Sequence, residues 1–305
     1  MLRLYTHQAC LQHASATDHV ERPARLTAVL QALDHDRFAA LERIEAPRAT
    51  RDQLLRVHHA AHVDAILAAS AAGEHMLDAD TYFCAASPEA ALRAAGAVIA
   101  AVDAVLQGRC DKAFCAVRPP GHHSTRAHAM GFCLFNNVAA GAAHALAQFG
   151  LKRVAIADFD VHHGNGTQDI FAGEPRVMFA SSHQWPLYPD SGSEDERGVG
   201  NIVNGTLAPG AGSEEFRALW SDVLLPRLHA FRPQLVLVSA GFDAHRCDPL
   251  ADLQLERDDY TWITAELVEL ARTHAQGRVV STLEGGYDLA ALAACSSAHV
   301  SALMG

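Results

Sequence analysis

The chain has 305 residues, half of them hydrophobic and 19% charged, with a formal net charge of −11. That apolar content supports a sizeable core and excludes a disordered chain, and the length suits one large α/β unit. The acidic balance offers no sign of a nucleic-acid or anionic-membrane surface and favours cationic ligands instead.

Short β-rich runs alternate with Ala- and Leu-rich stretches of helical period, the pattern of parallel strands joined by crossover helices. In chain order, a strand is predicted over Arg3 to His7, then helices over Pro23 to Leu33, Ala60 to Ala71 and Pro88 to Gln107. Ser87-Pro88-Glu89 marks the start of the last, with Ser87 as N-cap and proline at the first helical position. Strands follow at Ala113 to Val117 and Arg153 to Phe159, with a helix from Val138 to Phe149 between them. Next come strands at Val177 to Ala180 and Ile202 to Leu207, a helix from Ser213 to Ala230 and a strand from Leu235 to Val238. A helix over Asp258 to His274, a strand over Arg278 to Leu283 and a helix over Leu289 to Met304 follow.

No repeat, low-complexity tract or Ser/Pro-rich linker divides the chain, so residues 1–305 read as a single domain. The seven cysteines contain no C-x-x-C pair, and an odd number fits a disulfide framework poorly, so a reducing cytosol is expected. The start, Leu2-Arg3-Leu4-Tyr5-Thr6, lacks a leader pattern, and no apolar stretch reaches about eighteen residues. Neither secretion nor a membrane span is expected.

The chemistry-bearing residues cluster just after strand candidates, where open α/β sheets bind ligands. Asp160 and His162 end one apolar run and Asp243 ends another; alternation along a continuing strand would turn Asp158, Asp160 and His162 to one face. Two carboxylates and an imidazole suit Zn2+, and three protein ligands leave a coordination position for water and substrate. Three unpaired ionisable groups at a strand end would be costly to bury without a cation. Gly164-Asn165-Gly166 lacks the third glycine of a dinucleotide fingerprint, so phosphate cradling there is a weak reading.

Arg118-Pro119-Pro120-Gly121-His122-His123 places two histidines after a rigid turn, and neutral imidazole can take a proton from water and return it to a leaving amine. A random His-His pair is more often structural, and it is the neighbouring metal motif that reverses those odds. Leu283-Glu284-Gly285-Gly286-Tyr287-Asp288 allows a tight turn that presents a tyrosine hydroxyl as an oxyanion donor. Alone, that tyrosine would read as a packing aromatic.

Together with Gly131-Phe132-Cys133-Leu134-Phe135-Asn136-Asn137 and Ser239-Ala240-Gly241-Phe242-Asp243, these motifs resemble the zinc-dependent histone deacetylases, in the right order over nearly the whole chain. Asn165, with Thr167-Gln168, resembles the class II branch and its bacterial histone deacetylase-like amidohydrolases. The resemblance implies the arginase/deacetylase fold, a three-layer α/β/α domain around a mainly parallel eight-stranded sheet. It implies Zn2+ on Asp160, His162 and Asp243, His123 as the proton shuttle beside Asn165, His122 as its more cationic neighbour held by Asp158, and Tyr287 on the oxyanion. It further implies Phe132 and Tyr188 as tunnel walls, with tyrosine where phenylalanine is commoner, and Gly131 as acceptor of the substrate amide hydrogen. Arg25 resembles the arginine of an inner acetate channel. Asp158, Asp160, His162, Ser181 and Ser182 match a monovalent-cation site, so a structural K+ is implied.

Leu250 stands where acetylpolyamine deacetylases of that branch can carry glutamate, so an N-ε-acyl-lysine side chain is expected over a small acylated amine, although Glu194, Asp195 and Glu196 leave polyamines open. An arginase-like ureohydrolase would need two Mn2+ and further carboxylates, which Gly241 and the tandem histidines do not match. A non-catalytic module on this fold would lack ligands or the tyrosine, and all are present. Self-association is left open.

Overall fold

The computed structural model describes residues 1–14, 18–68 and 75–305. Among them, β1 (Leu2–Thr6) leads to α1 (Ala9–Gln12), α2 (Pro23–Ala32), β2 (Glu42–Glu45), α3 (Arg51–Leu54) and α4 (Ala60–Ala68). The far end of the helix expected over Ala60 to Ala71 lies outside the described residues. A small antiparallel hairpin, β3 (His75–Met76) and β4 (Tyr82–Phe83), precedes α5 (Ser87–Leu106). Then come β5 (Lys112–Cys115), α6 (Asn137–Phe149), β6 (Val154–Asp158), α7 (Asn165–Phe171), β7 (Val177–Gln184) and β8 (Ile202–Leu207). They are followed by α8 (Ser213–Leu219), α9 (Leu225–Phe231), β9 (Leu235–Ala240), α10 (Arg257–His274), β10 (Val279–Leu283) and α11 (Leu289–Met304).

Eight strands form one sheet in the order β2-β1-β5-β10-β9-β6-β7-β8. Every pairing in it is parallel, where a mainly parallel sheet was expected. Its inner strands are apolar runs buried along their whole length, as both faces of a parallel sheet demand. Helices cover both faces: α5 packs on α6, and α11 packs on α10 and α2. Because all strands run one way, the loops after β5, β10, β9 and β6 emerge side by side at one edge.

Three expectations are corrected. β6 ends at Asp158, so alternation along a strand does not orient Asp160 and His162. They sit in the following loop, which folds on its own carboxylates: the Asp160 N–H donates to Asp158 Oδ1 and the His162 N–H to Asp160 Oδ1, at 3.1 and 2.9 Å. Ser87 is the first residue inside α5 rather than its cap, because its hydroxyl accepts the Cys84 N–H at 2.8 Å. The helix expected from Ser213 to Ala230 widens to a π-helical turn over Trp220–Leu224 before α9. Pro226 has no N–H to continue the i→i−4 ladder.

Candidate active site

The ligand candidates come from two neighbouring strand ends. Asp160 and His162 follow β6, Asp243 follows β9, and a set of their ligand atoms lies within 4.8 Å of one another, all buried. His162 Nδ1 is 3.2 Å from both Asp160 Oδ1 and Asp243 Oδ2. The other carboxylate oxygens are fixed by backbone: Asp243 Oδ1 accepts the Val161 N–H at 2.9 Å and Asp160 Oδ2 the Gly285 N–H at 2.8 Å. Gly285 is required here, since a Cβ would stand 1.9 Å from Asp243 Oδ2.

The charges at this place ask for a cation. Burial, then the Asp160 carboxylate, raises Asp243 above its usual range. Burial opposes ionisation of His162, yet the Asp160 and Asp243 carboxylates lift it to about 10. Two carboxylate oxygens converging on an imidazole nitrogen, out of water, fit a divalent metal of the Zn2+ kind.

Loop 116–136, after β5, supplies the imidazoles. Its root is buried Arg118, whose guanidinium donates to both Glu21 oxygens at 2.5 and 2.6 Å. Burial works against the Glu21 charge, but Arg118 and then Arg25 hold it down at about 2. His122 Nδ1 lies 3.0 Å from Asp158 Oδ2, and His123 Nδ1 lies 2.8 Å from Asn165 Oδ1. The rings are 4.0 Å apart and titrate in opposite directions. Burial opposes a charge on His122, but the Asp160 and Asp158 carboxylates raise it well above the usual value. His123 is pushed well below it by burial and by the charges of His122 and His162. Burial lifts Asp158 to about 6 against the pull of His122, so near neutral pH the pair is imidazolium and carboxylate.

Tyr287 stands on the other side, in the turn after β10. Arg25, fully buried, lies 4.7 Å over its ring and donates to the carbonyls of Gly286 and Glu284, each at 2.6 Å. Burial raises the Tyr287 hydroxyl well above 10, against the opposing charge of Arg25, so it stays a proton donor.

These groups meet in a cavity of about 230 Å³ whose lining includes His123, His162, Tyr287, Gly131, Phe132, Tyr188 and Leu250. Phe132 faces Tyr287 with ring centroids 5.8 Å apart, and Tyr188 faces His123 at 5.2 Å. Gly131 and Phe132 both take left-handed backbone, at φ 55° and 68°. A Cβ on Gly131 would come 2.4 Å from His123. The Gly131 carbonyl also accepts the Cys133 thiol at 3.2 Å. Ser181 pairs in register with Asp158, its hydroxyl 3.0 Å from His183 Nδ1, while the Ser182 hydroxyl accepts from Trp220. Two of the acidic loop residues are engaged away from the cavity: Glu194 accepts from the Thr206 hydroxyl, and Glu196 accepts the Gly192 and Ser193 N–H groups.

Several participants were not singled out in the sequence. Asp80 lines the cavity, and Thr81 accepts the Phe132 N–H at 3.1 Å, holding the left-handed turn. Asp248 accepts the Tyr287 N–H at 2.7 Å and the Leu250 N–H at 3.1 Å. Burial, then Asp243, brings Asp248 to about 7. Glu284 accepts the Gly121 and His122 N–H groups. The acid pair of Asp78-Ala79-Asp80 ahead of a threonine was the available signal for the first of these.

A family model described as the histone deacetylase domain matches residues 19–303. The chain belongs to the histone deacetylase family. This deacetylase is 41% identical over 301 residues to the histone deacetylase-like amidohydrolase of Pseudomonas aeruginosa, a match covering 97% of this chain and 79% of that protein. It is 39% identical over 306 residues to the polyamine deacetylase HDAC10 of Homo sapiens, covering 94% of this chain and 45% of that protein. The crystal structure of the HDA15 HD domain superposes with a TM-score of 0.95 at 36% identity, over 99% of this chain and 88% of that one. The fold is therefore the three-layer α/β/α deacetylase type, and the chain is an enzyme of a hydrolytic deacetylase family. No described helix is long and apolar enough to cross a membrane.

Proposed function

We propose that residues 1–305 form one catalytic domain that removes acetyl, or another short acyl, groups from N-ε-acyl-lysine side chains with Zn2+ held by Asp160, His162 and Asp243. The observation that carries this reading is the shared cavity of His123, His162 and Tyr287, walled by Phe132 and Tyr188. When bound, the metal supplies a Lewis acid for water and for the amide carbonyl. His123, neutral and bonded through Nδ1 to Asn165, keeps Nε2 free to take the proton from the attacking water. The same nitrogen then protonates the leaving amine. His122, cationic on Asp158, keeps its neighbour deprotonated and favours negative charge in the tetrahedral intermediate. Tyr287 donates to that oxyanion, with Arg25 holding its turn. Gly131 offers its carbonyl to the substrate N–H, and the Phe132 and Tyr188 rings enclose a four-carbon stem.

Asp158, Asp160, His162, Ser181 and Ser182 would hold a structural K+. Seven cysteines without a C-x-x-C pair fit a reducing cytosol. Leu250 places an apolar side chain at the mouth, which supports a lysyl stem over a second ammonium. Asp80 favours the second reading, an acetylpolyamine, because burial and then Asp78 raise its carboxyl and a cation there would relieve both. The test is kcat/KM of the zinc enzyme on an acetyl-lysine peptide against acetylputrescine. We expect the peptide to lead by about tenfold or more, and a lead for the polyamine rejects the lysine reading.

A further inference from the structure

Glu284 leaves β10 directly after Leu283 and is wholly buried, yet it does not line the cavity. Its side chain crosses instead to the loop after β5. Oε2 accepts two consecutive backbone donors, the Gly121 N–H at 2.6 Å and the His122 N–H at 3.2 Å. Oε1 accepts the Ser239 hydroxyl of β9 at 3.4 Å. Its own carbonyl accepts from Arg25 at 2.6 Å, and the next residue donates to Asp160 Oδ2. One side chain thus ties the imidazole loop to the strand end that carries Tyr287. Buried N–H groups are rarely left without an acceptor, and a carboxylate is an expensive acceptor to bury. An apolar residue of the same size would leave both donors orphaned.

We propose that Glu284 is a positioning residue that sets the spacing between the His122–His123 turn and the Tyr287 turn, so that base and oxyanion donor address the same carbonyl. It acts through hydrogen-bond geometry rather than through its charge. The cavity walls Phe132, Tyr188 and Leu250 take no hydrogen bond from it, so its loss should spare substrate binding. The proposal rests on the hydrolytic reading of the site and not on which amine carries the acyl group.

Two variants of the zinc enzyme separate geometry from charge. Glu284→Gln keeps the length and an acceptor oxygen, whereas Glu284→Asp keeps the charge but withdraws the acceptor by one carbon. We expect Glu284→Asp to lower kcat by about tenfold to a hundredfold with KM within about twofold of the parent, and Glu284→Gln to lose less than about fivefold. In 15N-labelled protein the amide protons of Gly121 and His122 should move upfield in Glu284→Asp and stay in Glu284→Gln. The reverse ranking, or a loss carried by KM, overturns the proposal. If Glu284→Asp does not fold, a greater than tenfold kcat loss in Glu284→Gln with those amide resonances unmoved overturns it. Its failure is distinct from failure of the substrate reading: an enzyme inert on the peptide but active on acetylputrescine rejects lysine, and the variant ratios measured on acetylputrescine still decide Glu284.

Discussion

Beneath the cavity floor formed by His123 and His162, the residues Asp160, Asp243 and His122 are at most 2% exposed, and each is bonded to a neighbouring loop; at the rim Tyr188 is 36% exposed, and its ring stacks edge-on against His123 and His162. The floor is over-determined, because backbone N–H groups and partner charges fix every carboxylate oxygen before substrate arrives. The rim is built from side chains that can change without orphaning a buried donor. Chemistry and selectivity are therefore separable in this fold, and substitutions at the two ends should fail in different ways.

The largest break is at the floor. Asp160→Ala should lose bound zinc and at least about a thousandfold in kcat/KM together, read by metal analysis and assay of one preparation. Activity that survives in metal-free protein counts against the ligand set. Tyr287→Phe should keep the metal and lower kcat by roughly a hundredfold, as loss of an oxyanion donor does. Near-normal turnover would remove the tyrosine from its role. Asn165→Asp sharpens the contrast between the two imidazoles. His123 sits below its usual value through burial and the cationic His122 and His162, and a new carboxylate would raise it. Since the base acts when neutral, the acid limb of kcat/KM should move to higher pH and activity at pH 6 should fall about tenfold. An unmoved limb argues that His123 is not the base. The smallest effect belongs to the rim: Leu250→Glu should shift the acetylputrescine to acetyl-lysine preference by about tenfold while kcat on the favoured substrate stays within about threefold.

The motifs were legible because each follows an apolar run, and the strand ends place them together as the alternation of runs implied. The strand β2 was not, since Glu42-Arg43-Ile44-Glu45 is an edge strand with exposed charged positions and carries no apolar run. The clustering of Asp160 with His162 was expected for the wrong reason: the strand stops at Asp158, and the loop's own carboxylates do the orienting. The acid pair before Thr81 hinted at a site, but the partners of Thr81 and Glu284 were not legible, because Thr81 bonds Phe132 from 51 residues away in sequence and Glu284 bonds Gly121 from 163. Local pattern shows which residues carry chemistry, whereas hydrogen-bond partners across the sheet appear only once its strand order is known.

That strand order bears on how the molecule is made. β10, the last strand in chain order, lies between β5 and β9 in the middle of the sheet. Without it no strand pairing joins β2-β1-β5 to β9-β6-β7-β8. His122 and His123 follow a strand of the first group, and all three ligand residues follow strands of the second. Synthesis must reach residue 283 before the two halves of the catalytic apparatus can join, so incomplete chains should carry none of the activity in their separate parts.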